Sequence, residues 1–72
     1  MTIRVNPRLL AIIRAALAAR NLKRKDFADS YEISPQYFSA MLLGKERWRE
    51  EVLDQMLVDL SILEAVKKLG LR

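Results

Sequence analysis

The chain contains no histidine and no cysteine. Those absences remove the side chain that titrates near neutrality, the soft ligands of zinc sites, and both thiol nucleophiles and disulfides. Glycine and proline occur only twice each, and no glycine-rich phosphate loop is present. No apolar run approaches the roughly 20 residues needed to span a bilayer. The opening residues Met1–Asn6 lack the apolar core of a secretion signal, so a soluble, cytoplasmic protein is expected. The carboxylates Asp26 and Asp29, and Glu50, Glu51 and Asp54, fall at helical surface spacings beside Lys and Arg. They read as helix-start charges and i,i+4 partners rather than as an acid–base pair. No catalytic residue, no metal, no cofactor and no small-molecule ligand is expected.

What is present is half apolar and nearly a third charged, within 72 residues. That length makes one domain, and a chain near this size buries only about 60% of the surface its unfolded form exposes. Oligomerisation would therefore help it. The net charge of +4 is unevenly spread. Residues 1–49 hold ten Lys/Arg against four Asp/Glu, a balance of +6; residues 50–72 hold three against five, a balance of −2. A segregated basic face favours a polyanion as partner.

Asn6 before Pro7 is a cap followed by a residue suited to the first helical position, so a first helix should start at Pro7. Leu10, Ile13 and Leu17, widened by Leu9, Ile12 and Ala16, give it one buried stripe. Asn21 should stop it in a left-handed conformation, with Leu22 re-entering the core. A second helix is expected from about Arg24 to Ser30, with Phe27, Ala28 and Tyr31 as its apolar set. Ser34–Pro35 repeats the cap-then-proline signal and opens a third, from Pro35 to Leu43, with Phe38, Met41 and Leu42 inward and Gly44 as its left-handed end. Residues 49–69 follow helical spacing throughout. The capping-box sequence Ser61-Ile62-Leu63-Glu64 favours splitting them into two helices over one continuous helix, and Gly70 stops the last. Ile3 and Val5 alternate with Thr2 and Arg4 enough for a short strand, but residues 1–6 are expected as a flexible basic arm. The expected fold is all-α, with four or five helices.

From Asn21 to Arg47 the chain resembles the lambda-repressor and Cro-like (XRE-like) helix-turn-helix family. The positions carrying the likeness are Leu22, Lys23, Arg24, Phe27, Ala28, Glu32, Ile33, Ser34, Pro35, Phe38, Met41, Gly44 and Lys45. Two positions depart from the family's pattern. Glu32 stands where it usually has Gly, at a turn residue that is often left-handed and costs a non-Gly residue about 1–2 kcal/mol. Phe38 is larger than the usual Val or Ile.

The resemblance places the helix-turn-helix at residues 24–44 and implies a third helix that enters the DNA major groove. Gln36, Tyr37 and Ala40 match positions that approach base edges. Gln36 has the paired donor and acceptor for adenine, and Ala40 suits a thymine methyl. Arg24, Ser34, Lys45 and Arg47, with Arg49, match phosphate-contacting positions, and Lys23 and Lys25 are second-rank candidates. Trp48 is expected to plug the gap between this loop and the next helix. Ile62, Leu63, Val66 and Leu69 extend the apolar pattern beyond what a small core needs, so a homodimer seam is expected there. The function implied is a phage or bacterial Cro-like repressor, binding double-stranded DNA at a near-palindromic operator and regulating transcription by occupancy. Two alternatives stay open. One is a helical protein-interaction module using the C-terminal apolar helix; the other is an autoregulator of the antitoxin or controller kind.

Overall fold

Asn6 and Pro7 open the first helix as their chemistry dictates: the Asn6 side chain accepts a hydrogen bond from the Arg8 N–H at 2.8 Å, and Pro7 is the first helical residue. The computed structural model describes residues 1–72 and orders them as β1 (Thr2–Ile3), α1 (Pro7–Ala19), α2 (Arg24–Asp29), α3 (Pro35–Leu42), β2 (Trp48–Arg49), α4 (Glu50–Asp59) and α5 (Leu63–Lys68). Leu9, Leu10, Ile13 and Leu17 are the buried stripe of α1. Ala28, then Phe38, Met41 and Leu42, bring α2 and α3 onto it, and Leu53, Met56, Leu57, Leu60 and Val66 close the core from α4 and α5. Ala28 is wholly buried on α2, which packs against α3; a larger side chain there would push the two helices apart. No polar side chain is buried.

The expected flexible arm is instead a strand, so the domain is mostly helical rather than all-α. β1 pairs antiparallel with β2, setting Ile3 opposite Trp48 and Thr2 opposite Arg49, and the Glu50 N–H extends the ladder to the Met1 carbonyl at 3.1 Å. The reason lies in the alternation: register matches the half-buried Ile3 to the buried Trp48, and leaves Thr2 and Arg49 together on the wet side.

All five helices end alike. Asn21, Glu32, Gly44, Ser61 and Gly70 are the residues of positive φ, between 56° and 79°. After each, the next N–H reaches back to the last turn: Leu22 to Leu17, Ile33 to Ala28, Lys45 to Ala40, Ile62 to Leu57 and Leu71 to Val66, at 2.9–3.1 Å. This left-handed closure satisfies carbonyls that a helix end otherwise leaves bare. It also corrects two expectations. Residues 49–69 do split in two, but Ser61 is the left-handed residue closing α4, at φ 59°, rather than a side-chain cap for α5. Ile62 holds the cap position without a side-chain hydrogen bond. Leu22 stays 41% exposed and does not enter the core.

Three of the five closures use a non-Gly residue, and Glu32, at φ 59°, lacks the short side chain with which Asn can offset left-handed strain locally. Glu32→Gly should therefore raise stability. Relief of about 1–2 kcal/mol of left-handed strain is partly offset by glycine's unfolded-state entropy, roughly 0.5–1 kcal/mol. Thermal unfolding should show Tm higher by roughly 3–6 °C; an unchanged or lower Tm would mean that the turn carries no such strain.

Candidate nucleic-acid interface

The Ser34 Oγ accepts the Tyr37 N–H at 3.2 Å and so caps α3, while Pro35 holds its first position. With Phe38, Met41 and Leu42 turned into the core, the opposite face of α3 carries Gln36, Tyr37, Ser39, Ala40 and Leu43. Gln36 is exposed and Tyr37 is 46% exposed; Ala40 is half-buried, so less of it faces outward than of those two.

Beside the start of α3 lies a cleft of about 490 Å³, lined among others by Thr2, Glu32, Ser34, Tyr37, Arg47 and Arg49. The fold thus brings together Ser34, Tyr37, Arg47 and Arg49 from the sequence-derived set. The β1–β2 ribbon is what carries Arg49 here, as it forms the cleft wall with Thr2. Gln36 and Ala40 lie outside this cleft, as do Arg24 at the start of α2 and Lys45 after α3; Gln36, Arg24 and Lys45 are solvent-exposed. Glu32 is a lining residue that pattern reading treated only as a departure at a turn.

The charges around α3 are unusually free. The only ion pairs in the molecule are made by Arg72, to Asp54 at 2.7 Å and Glu50 at 3.8 Å. No Lys or Arg in residues 1–49 has a carboxylate within 4.0 Å, so apart from the half-buried Arg14 the cations of that segment face solvent unpaired. Such charge raises the local potential toward anions.

The expected seam in the C-terminal third is largely spent on the protomer itself. Val66 is wholly buried, and Ile62 and Leu63 are half-buried against the core; of the four, Leu69 alone is open, at 56%. The cause is the turn at Ser61, which folds α5 back onto α4 instead of extending the helix into solvent. Val66 is therefore a core residue, not an interface residue.

Sequence reading also missed a tie between α2 and α4. The Tyr31 hydroxyl donates to the Asp59 carboxylate, which also accepts from Gln55 at 2.9 Å. Burial first, then this bond to a carboxylate, push the Tyr31 phenol above its ordinary value. Asp59 is held below the usual carboxylate range by the hydrogen bond from Tyr31 and then that from Gln55. The lowered Asp59 value contributes stability above the ordinary 3.8 and loses it as pH falls through the folded value. The raised Tyr31 value contributes below the ordinary 10.0 and is lost as pH rises toward the folded value. The tie therefore acts from about pH 4 to about pH 10. Because Asp59 is exposed, its worth is modest, about 0.5 kcal/mol. Urea melts should show Tyr31→Phe destabilised by that amount at pH 7, with the gap to wild type shrinking at pH 2.5 and again at pH 11. A pH-independent gap would assign the loss to packing alone.

No family model, curated protein or solved structure matches this chain.

Proposed function

We propose that this protein is a sequence-specific double-stranded DNA-binding regulator of transcription, of the Cro-like repressor kind. The single observation that carries the reading is the capped start of α3. There Gln36 and Tyr37 project outward beside a cleft holding Ser34, Arg47 and Arg49, and no cation in the surrounding segment is neutralised by an ion pair. In this reading α3 enters the major groove. Gln36 makes paired hydrogen bonds to adenine, Tyr37 contacts a thymine methyl or the sugar edge, and the half-buried Ala40 lies one turn further along. Arg24, Ser34, Lys45, Arg47 and Arg49 hold phosphates, which fixes docking without reading sequence. Bound at a promoter, such a protein represses by occupying the site that polymerase needs.

A homodimer follows from the arithmetic of recognition. α3 has eight residues, about 12 Å of helix, and so meets only a few base pairs. Each correct pair is worth about 1–3 kcal/mol, too little for one copy to stand out in a genome. Two copies on a near-palindrome, with half-sites about 10 base pairs apart, double the readout. Leu69, with the exposed edges of Ile62 and Leu63, is the apolar surface that α5 has left for such a pair. The interaction-module alternative would have to use the same small remnant of the C-terminal stripe, and it gives no reason for the unpaired basic charge of residues 1–49.

Binding should weaken with salt, the slope of log K against log salt being about −0.9 for each phosphate neutralised. Arg47→Ala should flatten that slope and weaken all sequences alike. Gln36→Ala should instead relax one position of the sequences selected from random DNA, at a cost of about 1–3 kcal/mol. Salt-independent binding, or an unchanged selected sequence after Gln36→Ala and Tyr37→Ala together, would refute the reading of α3. Separately, light scattering should give a dimer mass for wild type and a monomer mass for Leu69→Glu, with loss of full-operator binding in the variant. A wild type that stays monomeric at high concentration removes the homodimer.

A further inference from the structure

α3 is closed differently from the other four helices. After the left-handed residue, α1, α2, α4 and α5 continue with an apolar side chain: Leu22, Ile33, Ile62 and Leu71. In closures of this type that side chain commonly folds back on the last turn and holds it. At α3 the same position is Lys45, which is exposed. The apolar clasp is missing, and α3, like α1, α2 and α4, has no basic residue in its own last turn to offset the charge of its C-terminal carbonyls.

Those carbonyls are held from outside. The Trp48 indole N–H of β2 donates to the Met41 carbonyl at 3.1 Å. From α1, the Arg14 guanidinium donates to the Leu42 carbonyl. Arg14 is the one Lys or Arg of residues 1–49 whose side chain hydrogen-bonds to the protein. It is half-buried, in a cleft with Arg4, Leu10, Leu43, Gly44 and Glu46, and no carboxylate, Glu46 included, lies within 4.0 Å of its guanidinium. A cation at a helix C-terminus is stabilising, and the planar guanidinium adds direction that a lysine ammonium lacks.

Resting on the DNA reading above, we propose that Arg14 is a positioning residue for sequence recognition: it sets the direction of α3 by clamping its C-terminal carbonyl, and touches no DNA itself. The lever is short but the tolerance is tight. A bidentate contact from Gln36 needs donor–acceptor distances near 2.7–3.2 Å, whereas a phosphate held as a point charge tolerates more movement. Of the phosphate set only Lys45 lies at the loosened end, while Arg24, Arg47 and Arg49 stand outside α3, so a tilt of α3 degrades base reading more than phosphate binding. That signature separates Arg14 from Arg24, Lys45 and Arg47, whose loss lowers all binding together.

The test compares wild type, Arg14→Met, which keeps the apolar stem, and Arg14→Lys, which keeps the charge. Binding is read on the sequence selected from random DNA and on an unrelated duplex, across salt. Amide hydrogen exchange of Leu43, Gly44 and Lys45 is followed in the free proteins. Arg14→Met should bind the selected sequence about tenfold more weakly and the unrelated duplex within twofold, with an unchanged salt slope and about tenfold faster exchange at the three amides. Arg14→Lys should fall between. A slope flattened by about 0.9 would make Arg14 a phosphate contact, and an equal loss on both duplexes would also overturn the proposal. So would unchanged exchange at the α3 end. If Arg14→Met fails to fold, the same criteria apply to Arg14→Lys. A wild type that selects no sequence would bring down the DNA reading, and the positioning role with it. The exchange data would then still show whether the clamp exists.

Discussion

The burial of Trp48 with its one polar atom satisfied is the interaction on which the rest of the molecule depends. An indole is the largest apolar payload a side chain can bring to a core, but its N–H cannot be left bare in a dry interior. Here it lands on the Met41 carbonyl, so the most buried aromatic residue and the end of α3 are fixed by a single bond. Its ring also meets Phe38 edge-on, with centroids 6.4 Å apart. From Phe38 the aromatic line continues to Phe27 at 6.1 Å and to Tyr31 at 5.2 Å. Such pairs are each worth about 0.5–1.5 kcal/mol beyond their area. They run from β2 through α3 to α2, and Tyr31 hands the connection on to α4 through Asp59.

This line explains how so small a chain keeps a rigid exposed helix. α2 and α5 have six residues each and α3 has eight, lengths at which isolated helices are unstable in water. None could hold its shape alone. Their ends are stabilised locally by left-handed closures, and their directions are set by contacts from other elements. For α3 those contacts come from Phe38, midway along it, and from the Trp48 and Arg14 bonds at its C-terminal end, all on the inward side, so Gln36 and Tyr37 near its start stay exposed.

What could be read from residues alone divides along the same boundary. Helix starts at Asn6–Pro7 and Ser34–Pro35, stops at Asn21, Gly44 and Gly70, and the inward set of α3 were legible, because each depends on a few neighbouring residues. The ribbon was not. Ile3 has the alternation of a strand, yet only a partner 45 residues away in sequence, Trp48, makes it one. Ser61 was misassigned because serine serves a helix start through its side chain and, here, a helix end through its backbone; the sequence Ser-Ile-Leu-Glu carries no mark of which. Val66 was placed at an interface because its burial depends on the chain reversing at Ser61. Of the candidate interface, Ser34, Tyr37, Arg47 and Arg49 were legible as candidates, while the ribbon that carries Arg49 and Thr2 to the cleft wall was not. Arg14 left one faint signal: it borders the apolar stripe of Leu10, Ile13 and Leu17 on α1, where a charged head can reach across to a neighbour.

The ribbon also has a kinetic meaning. Every helix of this chain, with its closure, can form from contacts within about a dozen residues, and such local structure assembles on the microsecond scale. The pairing of Thr2–Ile3 with Trp48–Arg49 is different: it must close a loop of some forty-odd residues before it returns anything. It belongs to the late part of folding, whereas the Trp48–Met41 bond spans seven residues and can form with the local structure. α3 gains its Trp48 tie only when the chain is complete through β2, so shorter forms of the chain carry the residues of α3 without that end held.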